Sequence, residues 1–249
     1  MIIIVGRCVF IISLVIPVYN EEKIIKDTII SVKNYMQANF DDYEVIFVND
    51  GSSDNTLSII NELSDDNIKA VTYEQNKGKG GAVRTGIFEA KGNIIFYTDC
   101  DLAYGLDVIK QGYEVFEENT DADIVIGSRK KHKDGYAGYT LLRKSMSRVF
   151  MFVLKTYGGI KQSDSQSGIK GFRKNAAKKI FDLCESEKWR WAFDVEVLLL
   201  AQKLKYKIYE MPVKIINHRE SKVNPVKDSI RALRDIRKIK KRVKKLKFD

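Results

Sequence analysis

Four short apolar runs in the first hundred residues, each closed by a polar loop, leave few folds open to this chain. They cover residues 11–18, 43–48, 68–74 and 93–98 and are rich in β-branched and aromatic side chains. Helical patterns occupy residues 22–38 and 56–63, and a glycine-rich stretch at 76–81 leads into a helix ending near Ala90. Strands alternating with helices in this way build βαβ units, so the expected class is α/β with a mostly parallel central sheet flanked by helices. The later chain continues the pattern. Helices are expected at 105–119, 141–157, 175–184 and 193–204, and strands at 123–127, 169–173 and 207–215.

The fourth run stops on two carboxylates, Asp99 and Asp101. In extended chain, residues i and i+2 point the same way, and like charges that close repel unless a positive group intervenes. At the carboxyl end of a parallel strand, where open α/β sheets place ligands, the simplest such group is a divalent cation. Mg²⁺ or Mn²⁺ suits hard oxygen ligands and commonly also holds substrate phosphates. A solvated turn bearing two acids is the plainer alternative. Glu21 and Asp50 follow the first and second strands and belong to the same edge. Neither a Walker-type loop nor a Gly-x-Gly-x-x-Gly after the first strand is present. Gly78-Lys79-Gly80-Gly81 reads either as a phosphate cradle or as a turn needing positive φ. A nucleotide would therefore be held by acids on its base and ribose and by metal on its diphosphate.

A chain of 249 residues suits one large α/β domain, or a domain with an appendage. Three scattered cysteines (Cys8, Cys100 and Cys184) make neither a disulfide framework nor a zinc site, which fits a reduced, cytosolic setting. The apolar stretch 8–16 is too short to span a bilayer core of about 30 Å as a helix and lacks the flanks of a signal peptide, so a strand is expected there and no membrane span elsewhere. The two histidines, His132 and His218, have no partners at ligand spacing.

The net charge of +10 sits mostly at one end, because residues 227–249 hold 11 Lys/Arg against 3 Asp. Within them Leu233, Ile236, Ile239, Val243 and Leu246 recur every three or four residues as one helical stripe. Residues 1–225 are thus expected as the domain and 226–249 as a basic amphipathic helix. That helix either lies on an anionic membrane surface, each near-surface cation contributing about 1 kcal/mol, or packs on the body. No nucleic-acid partner is expected, since the body is nearly neutral and carries no basic stripe interleaved with aromatics.

Three motifs in order, Val15-Ile-Pro-Val-Tyr-Asn-Glu21, Val48-Asn-Asp-Gly-Ser-Ser-Asp54 and Asp99-Cys-Asp101, resemble the family 2 glycosyltransferases. Gly127-Ser-Arg129, Arg143 with Ser147, Asp164-Ser-Gln-Ser-Gly168, Trp191-Ala-Phe-Asp-Val-Glu196 and Ser221-Lys222 are similar to the polyprenyl-phosphate (dolichyl-phosphate) hexose synthases, above all their glucosyl branch. The resemblance covers roughly residues 11–235. It implies a Rossmann-like GT-A fold and inverting, metal-dependent transfer of a hexose from a nucleotide sugar, UDP-glucose foremost, to a polyprenyl or dolichyl phosphate. The enzyme would be cytoplasmic and peripheral to the inner face of a membrane.

By the same resemblance, Pro17, Tyr19, Glu21 and Asp50 surround the nucleoside, with Asp50 reading the base. Asp99, Cys100 and Asp101 meet the diphosphate, and the two aspartates hold its metal. Arg129 and Lys222 neutralise phosphates near the anomeric centre, while Arg143 and Ser147, with Arg129, grip the acceptor phosphate. Ala103 stands where mannosyl-type relatives carry a metal-ligating Gln, which favours UDP-glucose over GDP-mannose and leaves the metal one ligand thinner. A phosphate monoester acceptor is already ionised near neutrality, its second pKa being about 6, and calls for cations rather than a base. With a hydroxyl acceptor, the other reading, Asp194 or Glu196 would be the general base. Otherwise both are buried acids that brace the acceptor loop or pair with Arg190.

Overall fold

The computed structural model describes residues 11–136, 139, 145, 151, 152, 154–189, 192–217 and 225–247, with side chains in the last helix described from Arg234 onward. The strands are β1 (Ile12–Val18), β2 (Tyr43–Asn49), β3 (Ile68–Thr72), β4 (Ile94–Tyr97), β5 (Ile124–Ser128), β6 (Lys170–Arg173) and β7 (Ile208–Pro212). They form one sheet in the order β3-β2-β1-β4-β6-β5-β7. Every adjacent pair is parallel except those made by β6, which runs antiparallel to both β4 and β5.

The helices are α1 (Ile25–Asn39), α2 (Thr56–Leu63), α3 (Gly78–Glu89), α4 (Asp107–Glu118), α5 (Lys174–Leu183), α6 (Ser186–Trp189), α7 (Phe193–Lys203) and α8 (Pro225–Lys245). Strand residues alternate between two cores, as the pleat requires. Leu14, Ile16 and Phe47 pack with side chains of α1, α2 and α4. Val15, Val48 and Tyr97 pack with those of α3, α5 and α7. Burial on both faces is why the strands read as continuous apolar runs rather than alternating ones.

The glycine-rich stretch divides its work. Gly78 takes a positive φ (+76°) at the first position of α3, whereas Gly80 and Gly81 lie within the helix. A Cβ on Gly80 would come 2.6 Å from the Ser186 carbonyl and 2.9 Å from Phe193. These glycines therefore let α3 sit close against α6 and α7. Of the helix expected at 141–157, most lies outside the described residues; Leu154–Gly158 form a single π-helical turn.

The basic C-terminal helix packs on the body. Ile236, Ile239 and Val243 are 3%, 0% and 5% exposed within the α3–α7 core. Arg242 reaches past them to donate to Glu196 Oε1 (2.7 Å) and to the Leu183 carbonyl (2.6 Å). Lys203 Nζ donates to the Val243 and Lys244 carbonyls near the end of α8, satisfying acceptors that a helix leaves unpaired. The apolar stripe is consequently spent inside the molecule, and the cations form its outer face. Among the described residues no helix is long and apolar enough to cross a membrane.

Glu196 is fully buried and Arg242 a quarter exposed. Arg242→Ala should therefore lower stability by about 3 kcal/mol in urea unfolding, the lower end of the cost of orphaning a buried ion. Glu196→Gln added to it should restore part of that loss.

Candidate active site

The loops after β1 and β2 are stitched into one unit. Asn20, held at φ +52°, donates its N–H to Ser52 Oγ (3.0 Å) and accepts the Ser53 N–H at Oδ1 (2.9 Å). The Glu21 N–H donates to Thr56 Oγ1 (2.8 Å), and Asp54 Oδ1 accepts the Thr56 N–H where α2 begins. Tyr19 stands half exposed beside them, and Pro17 is partly buried within β1. Asp50, at the end of β2, is only 3% exposed. Its Oδ1 accepts from the Tyr73 hydroxyl (2.7 Å) and the Lys77 N–H (2.8 Å), so it ties β2 to the start of α3. Burial, and then the Asp50 bond, pushes the Tyr73 phenol far above its usual pKa.

Contrary to the expectation from extended chain, Asp99 and Asp101 are not aligned by strand alternation, because β4 ends at Tyr97. The two acids instead lie in a turn closed by the Leu102 N–H on the Asp99 carbonyl (3.0 Å). Leu102 takes φ +47°, a strained conformation for a residue with a Cβ, and its buried side chain holds it there. Cys100 faces inward, its carbonyl accepting the Thr28 hydroxyl of α1 (2.9 Å). Asp101 Oδ1 accepts the Ala103 N–H (3.1 Å).

Two neighbours fix Asp99. Lys79 Nζ, from the first turn of α3, meets Asp99 Oδ1 at 2.5 Å, and the backbone of Gly168 lies against Oδ2 so closely that a Cβ there would overlap it. Burial works to lower the Lys79 pKa, yet Asp99, Asp194 and Asp101 outweigh it and hold that pKa above the ordinary lysine value. The ammonium shows that Asp99 faces a positive charge, and two hard carboxylates suit Mg²⁺ or Mn²⁺. Among the described residues no group of three His, Cys, Asp or Glu could hold an ion, so the remaining ligands would come from substrate oxygens and water.

Arg129 forms a fork with the buried Asp164, Nε to Oδ2 at 2.6 Å and Nη2 to Oδ1 at 2.8 Å, while Nη1 donates to the Tyr139 hydroxyl. The charge expected to meet phosphate is thus already paired. Burial alone would raise the Asp164 pKa, but Arg129 and the N–H groups of Arg129 and Gln166 overcome it and keep it below the usual value. Arg143, Ser147 and Lys222 lie outside the described residues.

The acids of α7 are enclosed. Asp194 Oδ1 accepts from Lys170 Nζ and from the Tyr97 hydroxyl, both at 2.6 Å. Lys170 is fully buried in β6, in register with Tyr97, and also donates to the Ser167 carbonyl (2.8 Å). Burial lowers the Lys170 pKa, with Asp194 opposing. Glu196 accepts from Arg242, from the Glu185 N–H and from the Cys184 thiol. The partners of the two acids are thus Lys170 and Arg242, while Arg190 lies outside the described residues. Lys79 and Lys170 are the site residues that sequence reasoning passed over; the flanking glycines drew attention to the backbone around Lys79 and away from its side chain.

Comparison with known proteins agrees with this geometry. Residues 13–181 match the family model described as "Glycosyl transferase family 2". A "Dolichyl-phosphate beta-glucosyltransferase" of Dictyostelium discoideum is 34% identical over 244 residues, covering 92% of this chain and 73% of that protein. A "UDP-N-acetylglucosamine--dolichyl-phosphate N-acetylglucosaminyltransferase" of Methanococcus voltae is 32% identical over 222 residues, covering 82% and 85%. The glucosyl-3-phosphoglycerate synthase of Mycobacterium tuberculosis, crystallised with Mn²⁺, uridine diphosphate and phosphoglyceric acid, shares the fold with a TM-score of 0.67. Its identity is 16%, with 93% of this chain and 78% of that one covered. The fold is that of the GT-A glycosyltransferases.

Gly168→Ala should push the Asp99 carboxylate aside and lower kcat/KM about 100-fold, the usual cost of a displacement near 1 Å, with the melting temperature changed far less. The Asp164 pair should also show in acid. Because its folded pKa is depressed, its contribution is present above the unfolded value of about 3.9 and is lost as pH falls through the folded value. Asp164→Asn should flatten the acid limb of stability against pH in urea titrations.

Proposed function

The chain belongs to glycosyl transferase family 2, and we propose that it moves glucose from UDP-glucose to a polyprenyl phosphate of the dolichyl type, with inversion. The observation that carries this reading is the Asp99 carboxylate, held between Lys79 and Gly168 at the carboxyl edge of the sheet. Asp99 and Asp101 would hold Mg²⁺ or Mn²⁺, which supplies charge neutralisation to the departing diphosphate. Lys79 acts beside them. It stands at the amino end of α3, where backbone dipoles favour anions, and its ammonium would add positive charge beside the diphosphate. Asp50, Tyr19, Pro17 and Glu21 form the nucleoside side of the site, and the Cys100 backbone shapes the turn beneath the diphosphate.

The acceptor assignment follows from which groups are spoken for. A hydroxyl acceptor needs a base, yet Asp194 is tied to Lys170 and Tyr97 while Glu196 is tied to Arg242. An ionised phosphate needs none. Arg143, Ser147 and Lys222 are proposed to receive its charge, with Arg129 oriented rather than freed by Asp164.

A lipid acceptor also requires contact with a membrane, proposed as the inner, cytosolic face. Phe152 and Tyr157 expose 65% and 74% of their surface. Lys240 of α8 donates to the Tyr157 carbonyl (2.6 Å), which joins the Tyr157 segment to the basic helix, whose Arg237, Lys238, Lys241, Lys244 and Lys245 are exposed. Attachment by charge and interfacial aromatics suits anionic lipid, and the buried stripe argues against deep insertion.

Incubation with radiolabelled UDP-glucose, Mn²⁺ and a short polyprenyl phosphate should put label into the organic phase, and UDP-N-acetylglucosamine should serve less well. Chelation by EDTA should abolish transfer reversibly, and Asp99→Asn should lower it about 100-fold or more. Absence of transfer from every nucleotide sugar tried would sink the assignment.

A further inference from the structure

The side-chain nitrogen of Gln166 is out of contact with solvent and has no hydrogen-bond partner. An amide left in this state is destabilising, and a native chain rarely keeps one without a use for it. Among the described residues three other buried atoms share the condition but differ in kind. The Tyr35 hydroxyl has Asp107 within hydrogen-bonding reach and the Trp189 indole has Glu196. Ser186 carries a hydroxyl, which rotates to find an acceptor. An amide with two N–H groups fixed in one plane has no such freedom.

The surroundings of Gln166 are rigid. Its own N–H donates to Asp164 Oδ1 (3.1 Å), the carboxylate that grips Arg129. The next carbonyl, that of Ser167, receives Lys170 Nζ, and Gly168 abuts Asp99. The turn is thus pinned at both ends, and Gln166 stands in it between Asp164, which grips Arg129, and Gly168, which abuts Asp99. A side chain held this way needs little further ordering to meet a ligand.

We propose that Gln166 contacts the transferred hexose, its carboxamide exchanging hydrogen bonds with sugar hydroxyls of the nucleotide donor. The inference rests on the function proposed above. The hexose is the group bonded to the distal phosphate, so it is what lies next beyond Asp99. Hydroxyls both donate and accept, as a carboxamide does, and a neutral two-way group beside the diphosphate-binding carboxylate matches the neutral sugar bonded to that diphosphate. A phosphate would be better met by a cation.

The test is Gln166→Leu, which removes the unpaired amide and keeps similar bulk. The free variant should melt at the wild-type temperature or above it. With Mn²⁺, UDP should stabilise both proteins equally, whereas the additional shift given by UDP-glucose should be lost in the variant. The kcat/KM for UDP-glucose should fall about 10–100-fold with the acceptor KM unchanged. A variant that loses stability along with activity shows a structural role and overturns the proposal, as does a change confined to the acceptor KM. Unchanged UDP-glucose binding and turnover overturn it as well. If UDP fails to stabilise the wild type, the parent reading itself falls.

Discussion

Compensation of negative charge at the carboxyl edge is the constraint on which this structure depends. Asp99, Asp164 and Asp194 would repel one another, and each is answered by a cation from a different element: Lys79 from α3, Arg129 from the end of β5, and Lys170 from within β6. Taking an ion pair out of water is costly unless further hydrogen bonds complete it. That condition is met by Tyr97 on Asp194 and by backbone N–H groups on Asp164. Because the cations come from separate segments, the edge assembles only when the sheet does.

The pairs differ in what they leave available. Asp164, Asp194 and Glu196 are closed off, and their partners lock the turn before β6, the helix α7 and the helix α8 into place. Asp99 alone among the three edge aspartates keeps about a third of its side chain exposed. Its lysine partner is a mobile kind of charge, compact and on a flexible stem. An enclosed frame around one exchangeable pair is an arrangement suited to admitting and releasing a charged substrate.

Much of the architecture was legible. The strand runs stood out because both faces of the sheet are buried, and the spacing of Ile236, Ile239 and Val243 announced a helix with one apolar side. What covers that side was not legible, since α7 shows no local sign of being its partner. Nor was the antiparallel insertion of β6, a four-residue strand with a lysine at its start whose pairing is entirely long-range. The turn at Asp99–Leu102 carries no glycine at its positive-φ position, so nothing local distinguished it from continued strand. Lys79 and Lys170 carry no local sign of their partners either, because a lysine's role is set by which acid the fold brings to it.

The reversed strand has an outcome for how such enzymes diversify. Since β5 runs toward the reactive edge and β6 runs away from it, the segment between them, residues 129–169, departs from that rim and comes back to it. Such an excursion behaves as a cassette: it can lengthen, shorten or be exchanged with that of a cousin without shifting any strand's register. The sheet and the residues at the two ends of the excursion, Arg129 and Asp164 to Gly168, are then free to stay constant while its outer part changes.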